Sequence, residues 1–149
     1  MKKAKIIISL VIVLCVAFLV YWHCWAPRSL KITTPTGNVV TLTVERALSK
    51  SQQTKGLMNR THLDVDRGMI FLFKPSRVAY MWMKNTKIPL DMLFFDHRGI
   101  VLRIHSAKPE DLTIISSGYP VAGILEINAG VANQLGIVPG SHLDLGNIQ

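Results

Sequence analysis

The feature that most constrains this chain is an unbroken apolar run close to its first residue. Residues 6–22 contain one ordinary polar side chain, Ser9, and the basic residues Lys2, Lys3 and Lys5 precede the run. The run has 17 residues, which is longer than the apolar core of a signal peptide, about 7 to 15 residues, and just short of the roughly 20 that span a bilayer. The sequence therefore predicts an N-terminal hydrophobic helix that anchors the chain in a membrane.

The residues on either side of the run predict its orientation. The preceding lysines should stay in the cytoplasm under the positive-inside rule, and aromatic rings that suit the opposite interface follow; these are Tyr21, Trp22 and Trp25. We therefore expect residues 1–26 to form a signal anchor in the cytoplasmic membrane and residues 27–149 to form one domain facing the periplasm or the cell exterior. The alternative is a signal peptide cleaved after Ala17 or Ala26, which would release a secreted domain.

Cysteine positions and net charge indicate how the exported part is stabilised and which partners suit its surface. Cys15 and Cys24 both lie in or beside the apolar run, so residues 27–149 cannot form an internal disulfide and must fold on an apolar core. This part carries 14 Lys and Arg against nine Asp and Glu, a net charge of +5, with no basic cluster. Scattered positive charge suits a surface beside anionic lipid headgroups, and we expect no nucleic-acid partner.

Short strands dominate the predicted secondary structure. Residues 39–48 alternate apolar and polar side chains with the period of a half-buried strand, and Ser49 with Gln52 forms a capping-box pattern at the start of a helix that we expect to reach about Met58. We predict further strands at 29–34, 69–73, 78–83, 90–96, 100–104, 124–128 and 141–145, a short helix at 130–135 and a surface loop at 106–119. The fold class is α+β, mostly β: a small antiparallel barrel-like domain with about two short helices.

Four sequence blocks carry a resemblance to a known family. They read GLMNR at Gly56–Arg60, GMIF at Gly68–Phe71, WMKNTKIPLD at Trp82–Asp91 and LEINAG at Leu125–Gly130. The chain resembles domain-of-unknown-function family 192 over roughly residues 32–144. The resemblance implies a compact, mostly β fold, often behind an export signal, and implies no activity. Relatives often carry cysteine in the loop that corresponds to residues 109–119; this chain has none there, which excludes a thiol role.

A short polar segment between two apolar strands supplies the candidate ligand-binding residues. They are Arg60, Lys84, Asn85, Thr86 and Asp91. One interpretation is structural, with Asn85 and Thr86 bonding turn amides and Asp91 paired with Lys84 or Arg60. The other is a small-ligand pocket at a barrel rim, in which Arg60 and Lys84 recognise an anionic group while the other three residues orient it.

Recognisable catalytic patterns are missing from the sequence. Glu126 lies in a strand whose alternation predicts an outward, solvent-facing side chain, and no nucleophile elbow, phosphate loop or paired-carboxylate spacing is present. We therefore expect a domain that binds a small anionic ligand or an envelope protein, without a cofactor. An uncharacterised hydrolase or transferase is the alternative from a different functional class.

Methionine enrichment raises a third hypothesis. Five of the six methionines fall within a short stretch of the chain; these are Met58, Met69, Met81, Met83 and Met92. Thioethers outside the cytoplasm can bind Cu(I), so a Cu(I) carrier is one interpretation. Methionine also fills gaps in apolar cores, and the histidines have no metal-ligand spacing, so the sequence favours core packing and predicts no metal site.

Overall fold

The computed structural model describes residues 11–16, residues 26–146 and residue 148. Residues 11–16 form a short helix, α1, within the predicted anchor. The rest of that anchor lies outside the described residues. Among the helices that the structure describes, none is both long and apolar enough to cross a bilayer.

Seven strands and two further helices follow α1 within the described part of the chain. In chain order they are β1 (Arg28–Thr33), β2 (Val39–Ala47), α2 (Lys50–Lys55), β3 (Arg67–Met81), β4 (Leu90–Phe95), β5 (Val101–Ala107), β6 (Ile115–Asn128), α3 (Val131–Gln134) and β7 (His142–Leu143). The mostly β fold class predicted from the sequence is confirmed.

The strands form one curled sheet in the order β5-β4-β6-β3-β2-β1-β7. Hydrogen bonds also join the two ends of the sheet: the amide of Val101 donates to the carbonyl of Ser141 at 2.8 Å, and the amide of Leu143 donates to the carbonyl of Gly99 at 2.8 Å. The sheet is therefore barrel-like, and neither β5 nor β7 is left as a long open edge.

Two apolar clusters cover the two faces of the sheet. The inner cluster has side chains from all seven strands, including Ile32, Leu93 and Leu125, and Val131 and Ala132 of α3 pack against it. The outer cluster packs against the opposite face. Its members include Met69, Phe71, Met92, Phe94 and Ile124 from the strands, together with Leu57, Leu63, Met83 and Ile88 from the segments after α2 and β3. The central strands are thus buried on both sides.

Three details differ from the sequence predictions. β3 runs as one strand from Arg67 to Met81, with register shifts around Pro75 where we expected it to stop. β6 begins at Ile115, inside the predicted loop. β2 and β3 pair in parallel, whereas an antiparallel arrangement was expected throughout. The capping box of α2 and the β4–β5 hairpin are confirmed.

Candidate functional site

Asp91 is buried on the inner face of the sheet and holds the segment that leads into α3. One carboxylate oxygen accepts from the hydroxyl of Ser106 at 2.6 Å, and the other accepts from the amides of Gly130 at 2.8 Å and Ala132 at 3.3 Å. None of these three donors is a cationic side chain. The predicted pairing of Asp91 with Lys84 or Arg60 is therefore wrong, and the carboxylate is occupied in joining β4, β5 and α3.

Arg60 pairs with Glu45 on β2. Its two terminal nitrogens donate to the two carboxylate oxygens at 2.6 and 2.7 Å, a bidentate arrangement. The hydrogen bond from Arg60 lowers the pKa of Glu45, and the same bond raises the pKa of Arg60. Both groups therefore remain charged, and the guanidinium fastens the segment after α2 to the sheet.

The remaining three predicted residues form the turn after β3. The ammonium of Lys84 lies 5.1 Å from the ring centroid of Trp82. Asn85 has a positive φ of 56°, which asparagine tolerates better than most residues, and its carbonyl accepts from the amide of Asn59 at 2.8 Å. Thr86 is buried, and its carbonyl accepts from the amide of Glu110 at 3.0 Å.

The five predicted residues therefore have separate partners. Thr86 lines a pocket between α2 and the sheet, Lys84 contacts Trp82 at the wall of that pocket, and Asp91 lies on the other face of the sheet. Arg60 and Asn85 act in fastening the loops that surround it. Ligand binding by the five as one set stays a prediction.

The pocket, which we call the Glu126 pocket, lies between α2 and the outer face of the sheet and has a volume of about 450 Å³. Its described lining residues are Lys50, Gln53, Thr54, Lys55, Gly56, Leu57 and Met58 from α2 and the turn after it, Phe71, Phe73, Arg77, Val78, Ala79, Tyr80 and Met81 from β3, Trp82 and Thr86 from the following turn, and Glu126 from β6. This size falls within the usual range of small-ligand pockets.

Glu126 is the buried acidic group of this pocket. It lies on β6, paired with Met69 of β3 and Met92 of β4, so the three side chains share the outer face. It is 4% exposed, and its carboxyl has no hydrogen-bond partner among the described residues. Burial raises its pKa to about 8. At neutral pH the group is therefore a neutral carboxylic acid, which can both donate and accept a hydrogen bond.

Cationic side chains occupy the solvent-exposed side of the same pocket. Lys50, Lys55 and Arg77 are exposed lining residues, and the guanidinium of Arg77 lies 4.3 Å from the ring centroid of Phe73. Among the described lining residues Glu126 supplies the one carboxyl group. The pocket therefore has a cationic mouth, an apolar and aromatic wall, and a polar floor.

The methionines divide between the core and this pocket. Met83 and Met92 are fully buried, and Met69 is nearly so. Met58 and Met81 are partly buried and line the Glu126 pocket. The part of the chain that the structure describes contains no group of three or more His, Cys, Asp or Glu side chains arranged to hold a metal ion.

The expectation of an outward, solvent-facing Glu126 is wrong because the strand is covered on both faces. Ile124, Leu125 and Ile127 around it are all buried, as is usual for a strand with packing on two sides. One signal was present in the sequence: a single acidic residue within the apolar run from Val121 to Ile127. Alternation rules for half-buried strands do not apply to such a run.

Comparisons with known proteins agree with this fold. The family model for domain-of-unknown-function family 192, described as an uncharacterised ACR, matches residues 31–145. A crystal structure of a candidate transcription regulator from Sinorhizobium meliloti 1021 is 44% identical with a TM-score of 0.79, covering 80% of this chain and 94% of the other. A protein of unknown function from Novosphingobium aromaticivorans DSM 12444 is 36% identical with a TM-score of 0.75, covering 83% and 96%.

Among curated proteins the comparison finds no match. The match of the family model begins within β1 and extends beyond β7, and so includes nearly all of the curled sheet and the Glu126 pocket. The chain belongs to domain-of-unknown-function family 192.

Proposed function

We propose that this domain binds a small organic ligand in the Glu126 pocket. The observation that carries the proposal is the carboxyl of Glu126: the residue is 4% exposed, it lines the pocket, and its carboxyl makes no hydrogen bond to a described residue. A buried polar group without a partner costs folding free energy. A ligand that bonds this carboxyl gives the group the partner that the protein itself does not supply.

The other polar residues discussed from the family blocks have hydrogen-bond partners within the protein, so no ligand is needed to explain them. Asp91 and Arg60 have partners that fasten the fold, and the side-chain amide of Asn128 donates to the carbonyl of Leu63 at 2.8 Å. Glu126 stabilises no element in this way. Polar groups that lower stability are characteristic of functional sites, which supports a role in binding.

Binding is favoured over hydrolysis by the number of acidic groups. Catalysis by paired carboxylates requires two such groups in one cleft, and the described lining residues include one. A hydrolase or transferase that uses Glu126 as a lone general acid is the second candidate, because a carboxyl with a pKa of about 8 retains its proton at neutral pH. The Sinorhizobium relative is described as a transcription regulator, and we do not propose that role for this chain.

We also propose that the domain is displayed on the outer face of the cytoplasmic membrane. The support comes from the sequence: the basic residues before the apolar run, its length of 17 residues, and the interfacial aromatic residues after it. We expect the full chain to stay in the membrane fraction after high-salt and alkaline washes and to need detergent for extraction. Recovery of a shortened chain in the soluble fraction would show cleavage instead.

Methionine methyl groups offer a direct test of ligand binding. In the full chain, labelled with [methyl-¹³C]methionine and held in a non-ionic detergent, we expect binding of a small organic ligand from a library of acids, alcohols and amines to shift the signals of Met58 and Met81, which line the pocket. The signal of Met83, which is buried and does not line the pocket, should move little. This signal therefore reports any effect that is not specific to the pocket.

A pair of tryptophan substitutions on α2 supplies the control. Thr54 is exposed and lines the pocket, so Thr54→Trp should block the opening and abolish the shifts. Ser51 is exposed on the same helix and is not a lining residue, so Ser51→Trp should leave the shifts unchanged. If every compound that binds moves all three methyl signals equally in both variants, the pocket is not a binding site.

A further inference from the structure

We infer that the ligand of the Glu126 pocket is an organic anion with a flat apolar body and, at the end opposite its charge, a neutral group such as a hydroxyl or a primary amide. This inference rests on the proposed function and specifies the ligand class. It follows from the different chemistry of the mouth, the wall and the floor of the pocket.

The mouth selects for negative charge. Lys50 and Lys55 form no ion pair with any described residue, and the terminal nitrogen of Arg77 donates to the amide oxygen of Gln53 at a long 3.4 Å. Three cations are therefore available around an opening that contains no exposed carboxylate among its described lining residues. A carboxylate or phosphate at this position gains charge-assisted hydrogen bonds, and an ammonium meets three like charges.

The floor selects for a neutral partner. The charged and titratable groups that line the pocket are Lys50 and Lys55 from α2, Arg77 and Tyr80 from β3, and Glu126 from β6. The four on α2 and β3 are exposed at the mouth, while Glu126 is buried among Phe71, Met69 and Met92. A protonated carboxyl in such surroundings pairs best with a group that both accepts and donates a hydrogen bond, as a hydroxyl and a primary amide do.

The wall between these two ends suits a flat apolar body. Phe71, Phe73 and Trp82 present aromatic rings, and Met81 adds a thioether that packs well against rings. The indole of Trp82 also contacts the ammonium of Lys84, which reduces the freedom of both side chains. A ligand held at both ends therefore places its body against an ordered aromatic surface.

Three related probe compounds separate the parts of this inference. 4-Hydroxyphenylacetate has the anion, the ring and the opposite hydroxyl; phenylacetate lacks the hydroxyl; tyramine keeps the hydroxyl and replaces the anion by an ammonium. Each is titrated into the full chain in non-ionic detergent at pH 7, and dissociation constants are taken from the methyl shifts of Met58 and Met81. We expect 4-hydroxyphenylacetate to bind about tenfold more tightly than phenylacetate, and tyramine to bind more weakly than both.

Substitutions at the two ends should each remove one of these preferences. Glu126→Leu should abolish the advantage of the hydroxyl and leave phenylacetate binding near its original strength; Glu126→Gln, which keeps a donor and an acceptor, should retain part of it. Lys50→Gln with Lys55→Gln should weaken both anions about tenfold, because two of the three cations are lost. The matched control is Lys31→Gln with Lys87→Gln, two exposed lysines outside the pocket, which should change nothing.

The possible outcomes distinguish this inference from the proposed function. Equal binding of phenylacetate and 4-hydroxyphenylacetate, with no effect of Glu126→Leu on their ratio, overturns the ligand class but leaves a binding pocket. Tightest binding of tyramine overturns it as well, in favour of a cationic ligand. Failure of all three probes to shift Met58 or Met81 at millimolar concentration overturns the ligand class, and the library screen with Thr54→Trp then decides whether the pocket binds any other compound.

Discussion

Two buried carboxyls on one sheet have opposite consequences for the molecule. Asp91 accepts three hydrogen bonds on the inner face, and Glu126 accepts none from the described residues on the outer face. The first therefore contributes to stability and the second reduces it. This difference cannot be read from the sequence, because both residues lie in apolar strands and have the same charge in water.

The cost of Glu126 should depend on pH in a defined direction. Its folded pKa of about 8 lies above the ordinary value of 4.5. Below pH 4.5 both the folded and the unfolded forms are protonated, and the group costs nothing through ionisation. As the pH rises from 4.5 to 8 the unfolded form loses its proton while the folded form retains it, so stability falls relative to a variant that cannot ionise.

We therefore expect Glu126→Gln to be more stable than the original chain at pH 7, by about 2 to 3 kcal/mol, with the difference vanishing near pH 4. Urea unfolding of both proteins between pH 4 and pH 9 measures it. Glu110→Gln changes an exposed glutamate and should show no such trend. A stability difference for Glu126→Gln that is the same at pH 4 and at pH 8 would contradict the raised pKa.

Substitution of Asp91 should reduce stability, whereas substitution of Glu126 should increase it. Asp91→Ala leaves the amides of Gly130 and Ala132 and the hydroxyl of Ser106 without their acceptor, and we expect a loss of about 3 kcal/mol in the free energy of unfolding. Ser106→Ala removes one of the three bonds and should cost about 1 to 2 kcal/mol. Denaturant titrations of the two variants give the comparison. Equal small losses would show that the amides find other partners.

At the scale of elements, α2 determines the shape of the pocket although it contains only six residues. So short a helix depends on its ends: the hydroxyl of Ser49 accepts from the amide of Gln52 at 3.2 Å, and the side chain of Gln52 accepts from the amide of Ser49 at 2.7 Å. Gln53 adds two bonds, to the carbonyls of Ala47 and Leu72, at 3.2 and 3.1 Å.

Removing the cap should therefore loosen one wall of the pocket. We expect Ser49→Ala to cost about 1 kcal/mol of stability and to increase amide hydrogen exchange in residues 50–56. Thr36→Ala, in the exposed turn before β2, is the control for loss of a hydroxyl far from α2. Unchanged exchange in α2 after Ser49→Ala would show that the bonds of Gln53 hold the helix without its cap.

The elements that the sequence predicted correctly are those set by local interactions. The capping box of α2, the β4–β5 hairpin and the alternation of β2 all depend on residues close in the chain. The errors came from long-range packing. β3 continues past Pro75 because β6 pairs with it on both sides of that residue, from Gly68 to Leu72 and again from Arg77. The Glu126 pocket was missed for the same reason: its lining residues come from three separate segments of the chain.

At the scale of the whole molecule, the two ends of the sheet meet at Gly99. Gly99 has a φ of 80°, and a Cβ atom there would collide with the carbonyl of Leu143. Gly37 has a similar φ of 87° with open space around the position of a Cβ atom. Both glycines have a positive φ, but of the two it is Gly99 at which an added Cβ atom would collide with a neighbour. Substituting each by alanine therefore separates the cost of backbone strain from the cost of collision.

We accordingly expect Gly37→Ala to cost about 1 kcal/mol, from the positive φ alone, and Gly99→Ala to cost about 3 kcal/mol or more. Thermal unfolding gives the stabilities, and hydrogen exchange at the amides of Val101 and Leu143 reports the junction itself. Should Gly99→Ala fail to fold while Gly37→Ala folds, the collision with Leu143 is the cause, because the two glycines have a similar positive φ. Equal losses for Gly37→Ala and Gly99→Ala would show that the junction yields without cost.

The closure also sets an order of events during synthesis. β1 is among the first strands to leave the ribosome, but its outer edge is covered only by β7. The outer edge of β5, on the side away from β4, is paired at its start with residues 140–143. A nascent or interrupted chain that lacks those residues therefore has two exposed strand edges, which favour aggregation and attract proteases. Synthesis of residues 140–143 and protection of the two strand edges thus coincide, so products that stop before these residues are open to removal.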